Sequence, residues 1–228
     1  MHILIRQNTC DPDIWRDVVD KNEYKIPTTL SPDTVVLDIG LHIGSFAHLV
    51  LSRGVGYVEG YEPVKESYDL AVHNLAPFSN KFVGHNCGVW RSDRKQSKLG
   101  LAVPATDFDT SSCSLISGNS DTFLPVVPLD PILVRLEHVD ILKMDCEGSE
   151  FPILLTSKEL GRVDHIYLEY HEYGGKFDTM VIDDEARIDG VPIFDDQALI
   201  KILHEQGFRT TTIRSRDDGR RGLLWATR

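Results

Sequence analysis

VVLDIGLHIG, residues 35–44, runs from a β-branched apolar segment through Asp38, Gly40 and Gly44 into a stretch of helical periodicity. That order reads as a strand, a tight glycine turn and a helix. Glycine tolerates positive φ and lacks a Cβ, so such a turn lets a ligand approach the backbone closely. The helix begins at Gly44 or Ser45, and its first N–H groups lack partners within the helix. Open α/β sheets hold nucleotide-like ligands at the carboxyl ends of strands joined in this way.

The spacing narrows the ligand. A dinucleotide fingerprint is G-x-G-x-x-G, whereas this chain reads D-x-G-x-x-x-G with Asp38 at the first position. A carboxylate there repels a pyrophosphate and suits a cationic cofactor with an amino-acid tail. S-adenosylmethionine (SAM) has a sulfonium, an ammonium and no phosphate. A second run, Tyr57–Tyr61, ends at Glu62, where an acid can accept hydrogen bonds from both ribose hydroxyls. An ordinary βαβ unit with a helix-capping acid shares part of this pattern, but not both acids in register. A NAD-dependent dehydrogenase is disfavoured by Asp38 and by the missing third glycine.

With 228 residues, one main domain is expected: a covering segment over 1–33 and a single domain over 34–228. The formal charge of −11 argues against nucleic acid as a partner. Arg91, Arg94, Lys95 and Lys98 read as a solvated basic loop without interleaved aromatics. Cys10, Cys87, Cys113 and Cys146 form no C-x-x-C pair, which suggests free thiols in a reducing compartment, the cytoplasm. The apolar start is too short for a secretion signal, and no run is long enough to span a membrane.

Further along, Phe46, Leu49 and Val50 mark a crossover helix, and a second helix is expected from Pro63 to Leu75. Strands are expected over Lys81–Trp90, Val139–Asp145 and Val163–Glu169, and a short helix over Glu150–Thr156. A last helix capped by Asp195 or Asp196 stops at Gly207, and Phe208–Ile213 pairs with Gly222–Thr227. The alternation argues a Rossmann-like, doubly wound α/β fold, mostly parallel, with an antiparallel C-terminal hairpin. Residues 91–125 and 171–194 show no clear period. Long segments of this kind in a compact domain are usually functional, and the second reads as a lid.

The segment DILKMDCEGSEF carries Asp145, Glu147 and Glu150 at the end of the fourth strand. Strands one and four flank the switch point of a doubly wound sheet, so Asp145 is expected near the methyl donor. There it can orient an acceptor, act as a general base or hold a divalent cation. Glu150, by contrast, suits a helix N-terminus. Glu169 and His171, two apart in YLEYHEY, share a strand face, and His171 is a second candidate base. If a metal binds, Asp145, Glu169 and His171 are the expected ligands. His42 is expected to pack beside the cofactor without reacting.

Three stretches together resemble the FkbM-type SAM-dependent methyltransferases: VVLDIGLHIGSFA, GYEPVKESYDLAVHNL and VDILKMDCEGSEFPILL, with Leu129-Asp130 just upstream of the last. The first is shared by all Rossmann-like methyltransferases and the third is the distinctive one. The family's SAM loop usually has Ala-Asn where this chain has Leu41-His42, at unchanged loop length. The resemblance implies the class I methyltransferase fold with a seven-stranded sheet, SAM as donor, and O-methylation of a sugar or natural-product hydroxyl. It also implies that Asp38, Gly40 and Gly44 cradle the methionyl end of SAM. Glu62 would hold the ribose, and Asp145 and Glu147 would lie at the reaction edge. N-methylation of a small amine or protein side chain, or a non-catalytic SAM-binding domain, are the alternatives.

Overall fold

The β-branched and apolar runs lie side by side in one seven-stranded sheet. A computed structural model describes residues 2–100, 122–173, 182, 184–214 and 220–228. The strands of the main sheet are β1 (Val35–Ile39), β2 (Tyr57–Tyr61), β3 (Phe82–His85), β7 (Val139–Met144), β8 (Val163–His171), β9 (Arg209–Arg214) and β10 (Arg221–Thr227). Their order is β3-β2-β1-β7-β8-β10-β9, parallel from β3 to β8, with β10 antiparallel to both neighbours. Sequence order reverses between β1 and β7, which makes that crevice the switch point.

Each face of the sheet is covered. Val36, Val58 and Ile141 pack with α2 (Ser45–Ser52), α3 (Lys65–Asn74) and the buried Tyr24 and Ile26. Leu37, Leu142, Leu168 and Leu224 pack on the other face, with α4 (Leu129–Leu136), α5 (Glu150–Thr156) and α6 (Asp196–Glu205). Neighbouring residues on a strand enter opposite cores because side chains alternate across the pleat. Asp195 caps α6 by accepting from Ala198 N at 2.9 Å, and Gly207 follows it at φ +88°.

The expected strand over Lys81–Trp90 breaks in two. Asn86 turns aside and donates to the carbonyls of Glu62 and Pro63. After it, β4 (Gly88–Trp90) leaves the main sheet and joins β5 (Lys98–Gly100) and β6 (Phe123–Pro128) in a three-stranded sheet, order β4-β6-β5. The second helix starts at Lys65 and not at Pro63, because Glu62 Oε1 takes the Val64 N–H and Val64 stays extended. Arg91 is not a solvated loop residue. It is 3% exposed, grips Asp93, and donates to the carbonyls of Glu185 and Arg187. Residues 101–121 of the first unpatterned segment lie outside the described residues, as do 174–181 and 183 of the expected lid. In the described part of the second segment Ala186 and Phe194 are fully buried, while Asp184, Glu185, Arg187 and Asp189 are exposed.

From the segment before β1, Val18, Tyr24 and Ile26 pack into the core with Val36 and Ile141. Helix α1 (Asp11–Trp15) passes directly into a π-helical turn, Arg16–Asp20. Trp225 on β10 donates to Tyr24 O at 3.0 Å and anchors its far end. Among the described residues, no helix is long and apolar enough to cross a membrane, and Cys87 and Cys146 are free thiols.

Candidate active site

Two adjoining hollows open at the carboxyl ends of β1, β2, β7 and β8. The first is a narrow cleft of about 70 Å³ lined by Gly40, His42, Tyr61, Glu62, Lys143 and Asp145, among others. The second is a cavity of about 340 Å³ bordered by Glu23, Asp145, Glu147, Glu169 and His171. Asp145 and Glu147 border both, and Ile14 and Val18 of the N-terminal segment roof both.

The glycine turn sets the floor of the cleft. Gly40 lies at φ +79°, and a Cβ there would fall 1.8 Å from the carbonyl oxygen of Asp145. Only glycine lets the loops after β1 and β7 approach this closely. Gly44, at φ +85°, forms the N-cap of α2. His42 holds φ +52° without being a glycine, a strain that folded proteins retain mostly at functional positions. Its N–H donates to Glu62 Oε2 at 2.8 Å, and its ring lies 3.1 Å from Arg6 Nη2 and 3.3 Å from Asp11 Oδ1. The imidazole therefore ties the loop to the N-terminal cover. Arg6 also grips the fully buried Asp11 and reaches Ser67.

Glu62 lies where the sequence places it, 6% exposed at the end of β2. Each of its oxygens accepts one backbone N–H, from His42 and from Val64, both at 2.8 Å. Each retains a lone pair for a ribose hydroxyl. Burial pushes its pKa up, countered by His42 and by the two backbone bonds.

Asp38 differs from expectation. It is fully buried and does not line the cleft. Its neighbour in the β1–β7 register is Lys143, whose Nζ lies 3.3 Å from Asp38 Oδ1 and donates to Gly40 O at 2.7 Å. Burial lifts the Asp38 pKa, and Lys143 opposes the lift. Burial lowers that of Lys143, but Asp38 and then Asp145 more than reverse this, so the ammonium form persists. Lys143 is a site residue that the sequence reading missed. Its signal was a lysine inside an otherwise apolar central strand.

Around the second hollow, Asp145, Glu147, Glu169 and His171 converge. Glu147 sits at φ +54° just ahead of Gly148. Glu150 is fully buried and closes this turn by accepting from Cys146 N at 2.6 Å and Gly148 N at 2.8 Å, the helix-start role expected of it. His171 Nε2 lies 3.4 Å from Glu147 and 3.9 Å from Glu169, and its Nδ1 lies 3.9 Å from Glu150. Burial lowers the His171 pKa, but the Glu147 and Glu150 carboxylates outweigh it and raise it to about 10. The carboxylates beside it thus favour the imidazolium form of His171.

The acids pay the converse penalty. Burial lifts Glu147 and Glu169, Asp145 adds to both, and His171 opposes. Glu23, from the N-terminal segment, is pushed up to about 7 by burial and then by Glu169 and Asp145. The sequence offered no signal for Glu23, since it reaches the cavity only through the path of the cover. For a divalent cation, the donors that come within 4.8 Å of one another are Asp145, Glu150 and His171.

No curated protein matches the chain in sequence. Among solved structures, an rRNA methylase from Streptococcus thermophilus aligns at 8% identity and TM-score 0.47, over 100% of this chain and 99% of its own. The precorrin-6y C5,15-methyltransferase of Geobacter metallireducens aligns at 12% and 0.44, over 98% and 93%. TrmK of M. capricolum, in complex with S-adenosyl-homocysteine, aligns at 9% and 0.47, over 99% and 69%. The family model of the FkbM methyltransferase domain matches residues 38–210, from the acid of the glycine turn to the start of β9. The chain belongs to the FkbM family of SAM-dependent methyltransferases.

Proposed function

We propose that this enzyme methylates a hydroxyl of a small polar acceptor, a sugar or natural product, held in the 340 Å³ cavity. The observation that carries the reading is that Asp145 and Glu147 border both hollows. Only there can one carboxylate face a donor in the cleft and an acceptor in the cavity. The cleft suits SAM: Gly40 brings the backbone close, Glu62 can accept from the ribose, and Ile39, Tyr61, Val64 and Val89 offer apolar surface. At about 70 Å³ it is narrower than the 300 Å³ or more of ordinary small-molecule sites. The cover carrying Ile14 and Val18 therefore gives way on loading.

Bound SAM supplies an electrophilic methyl group. The protein's share is to hold the acceptor oxygen in line with methyl and sulfur and to exclude water. Asp145 accepts the hydroxyl proton as the oxygen attacks. Glu147 holds His171 as an imidazolium, which donates hydrogen bonds to the acceptor. If a divalent cation takes part, Asp145, Glu150 and a deprotonated His171 would hold it, and it would lower the pKa of the hydroxyl. The domain is residues 34–228, with 1–33 as its cover, and the free thiols suit the cytoplasm. The mostly acidic cavity repels phosphates and so disfavours a nucleic acid as acceptor.

The same acidity favours a second reading, an amine acceptor held as its cation before it loses a proton. Incubating the enzyme with SAM and paired hydroxyl and amino compounds, with and without chelator, separates the readings by S-adenosyl-homocysteine release. Turnover of hydroxyl acceptors supports the first. Turnover of amines alone supports the second. Activity lost to chelator and restored by Mg²⁺ assigns the cation.

A further inference from the structure

Lys143 is 4% exposed in the central strand β7. An ammonium is costly to bury, and a well-packed apolar residue of similar volume is often as stable or more so. Fold stability alone therefore gives weak reason for a lysine at this position.

Its surroundings give a stronger one. Register sets Lys143 beside Asp38, and the pair is held at 3.3 Å. Gly40 O takes one of the three ammonium N–H donors at 2.7 Å. Lys143 nonetheless lines the cleft, while Asp38 does not. Among the described residues it is also the single lysine or arginine in that lining, whose acids are Glu62, Asp145 and Glu147. SAM brings one negative group into the cleft, its methionyl carboxylate. In an otherwise acidic hollow, the described residues offer that carboxylate one lysine to pair with.

We propose that Lys143 anchors the methionyl carboxylate of the cofactor, and that Asp38 is a positioning residue that aims Lys143 and does not bind the cofactor. The inference rests on the SAM reading above and deepens it. Asp38 and Gly40 O hold the ammonium at the floor of the cleft, and its remaining donor meets the carboxylate. The acid of the glycine turn thus acts through the lysine two residues before Asp145. The site selects for a cofactor with an intact amino-acid tail.

The test compares ligands on the intact chain by calorimetry: S-adenosyl-homocysteine, its decarboxylated analogue, and 5′-methylthioadenosine, which lacks the whole tail. A charge-assisted hydrogen bond predicts that S-adenosyl-homocysteine binds about 10–150-fold tighter than the decarboxylated analogue. Lys143→Met alone strands Asp38, so the variant to use is Asp38→Asn with Lys143→Met. In it the ratio should collapse to near one, with methylthioadenosine affinity unchanged. A ratio below about fivefold in the unaltered protein overturns the anchor, and so does a ratio that survives in the double variant. Should the double variant not fold, the ratio in the unaltered protein decides alone. Failure to bind any of the three ligands removes the SAM reading and the anchor with it. Loss of the ratio alone removes only the anchor.

Discussion

At the β2 end of the cleft, the buried acid is already satisfied. Glu62 has a backbone N–H on each oxygen, and those N–H groups belong to the loop and the helix start that form the cleft wall. At the β7–β8 end, Glu147, Glu150 and Glu169 crowd one imidazole, His171, and Glu23 borders the same hollow from the N-terminal segment. The first arrangement is preorganised, with its carboxylate aimed before any ligand arrives. The second stores like-charge repulsion that a bound cation, acceptor or proton can relieve. The difference teaches where chemistry is to be sought, because perturbed acids in a cleft mark functional sites more often than satisfied ones do.

The largest expected effect lies on the repulsive side. Asp145→Asn keeps the side-chain size and removes both charge and base. Turnover should fall on the order of 10²-fold or more, with S-adenosyl-homocysteine affinity little changed. Near-normal turnover on the true acceptor would shift the base to another group and end the assignment.

On the satisfied side, Glu62→Ala should weaken S-adenosyl-homocysteine by roughly 1–3 kcal/mol, because two backbone N–H groups and the ribose hydroxyls lose their acceptor. Calorimetry reads this directly. Tight binding of NAD in place of SAM would contradict the contrast at its root.

A pH experiment sharpens the comparison. Glu23 holds its proton up to about pH 7 in the folded state, against an ordinary value of 4.5. Between these values the folded protein binds more protons than the unfolded chain, so this group's contribution to stability falls as pH rises. The penalty is complete above about 7 and absent below 4.5. Glu23→Gln should therefore raise the melting temperature at pH 8, by about 2–4 °C for each kcal/mol relieved, and leave it unchanged at pH 4. His171 has the opposite profile. Its stabilisation is full below its ordinary 6.5 and is lost as pH rises through about 10. An equal melting shift from Glu23→Gln at both pH values would show that the cluster is not under charge strain.

The smallest effect concerns the cover. Amides of the π-helical turn, Arg16–Asp20, should exchange faster in the free enzyme than with S-adenosyl-homocysteine bound. Unchanged exchange would mean that the cofactor enters without moving Ile14 and Val18.

Much of this molecule was legible in its residues. The D-x-G-x-x-x-G turn, the acid after the second strand and the Asp-Cys-Glu-Gly-Ser-Glu segment each state local chemistry that depends on near neighbours in the chain. The α/β alternation and the closing hairpin follow from periodicity, which is also local. Glu150 could be read as a helix-start acid because its partners, Cys146 and Gly148, lie within four residues. What escaped is what depends on register and on chain path. Asp38 meets Lys143 because β1 and β7 align those two positions, 105 residues apart in the chain. Glu23 meets Glu169 because the cover crosses the sheet edge. His171 is pushed toward its imidazolium form because Glu147 of the turn after β7, Glu150 at the start of α5 and Glu169 of its own strand surround it. A sequence lists the ionisable groups, whereas their charge states depend on distance and burial, and these arise only when the sheet is assembled.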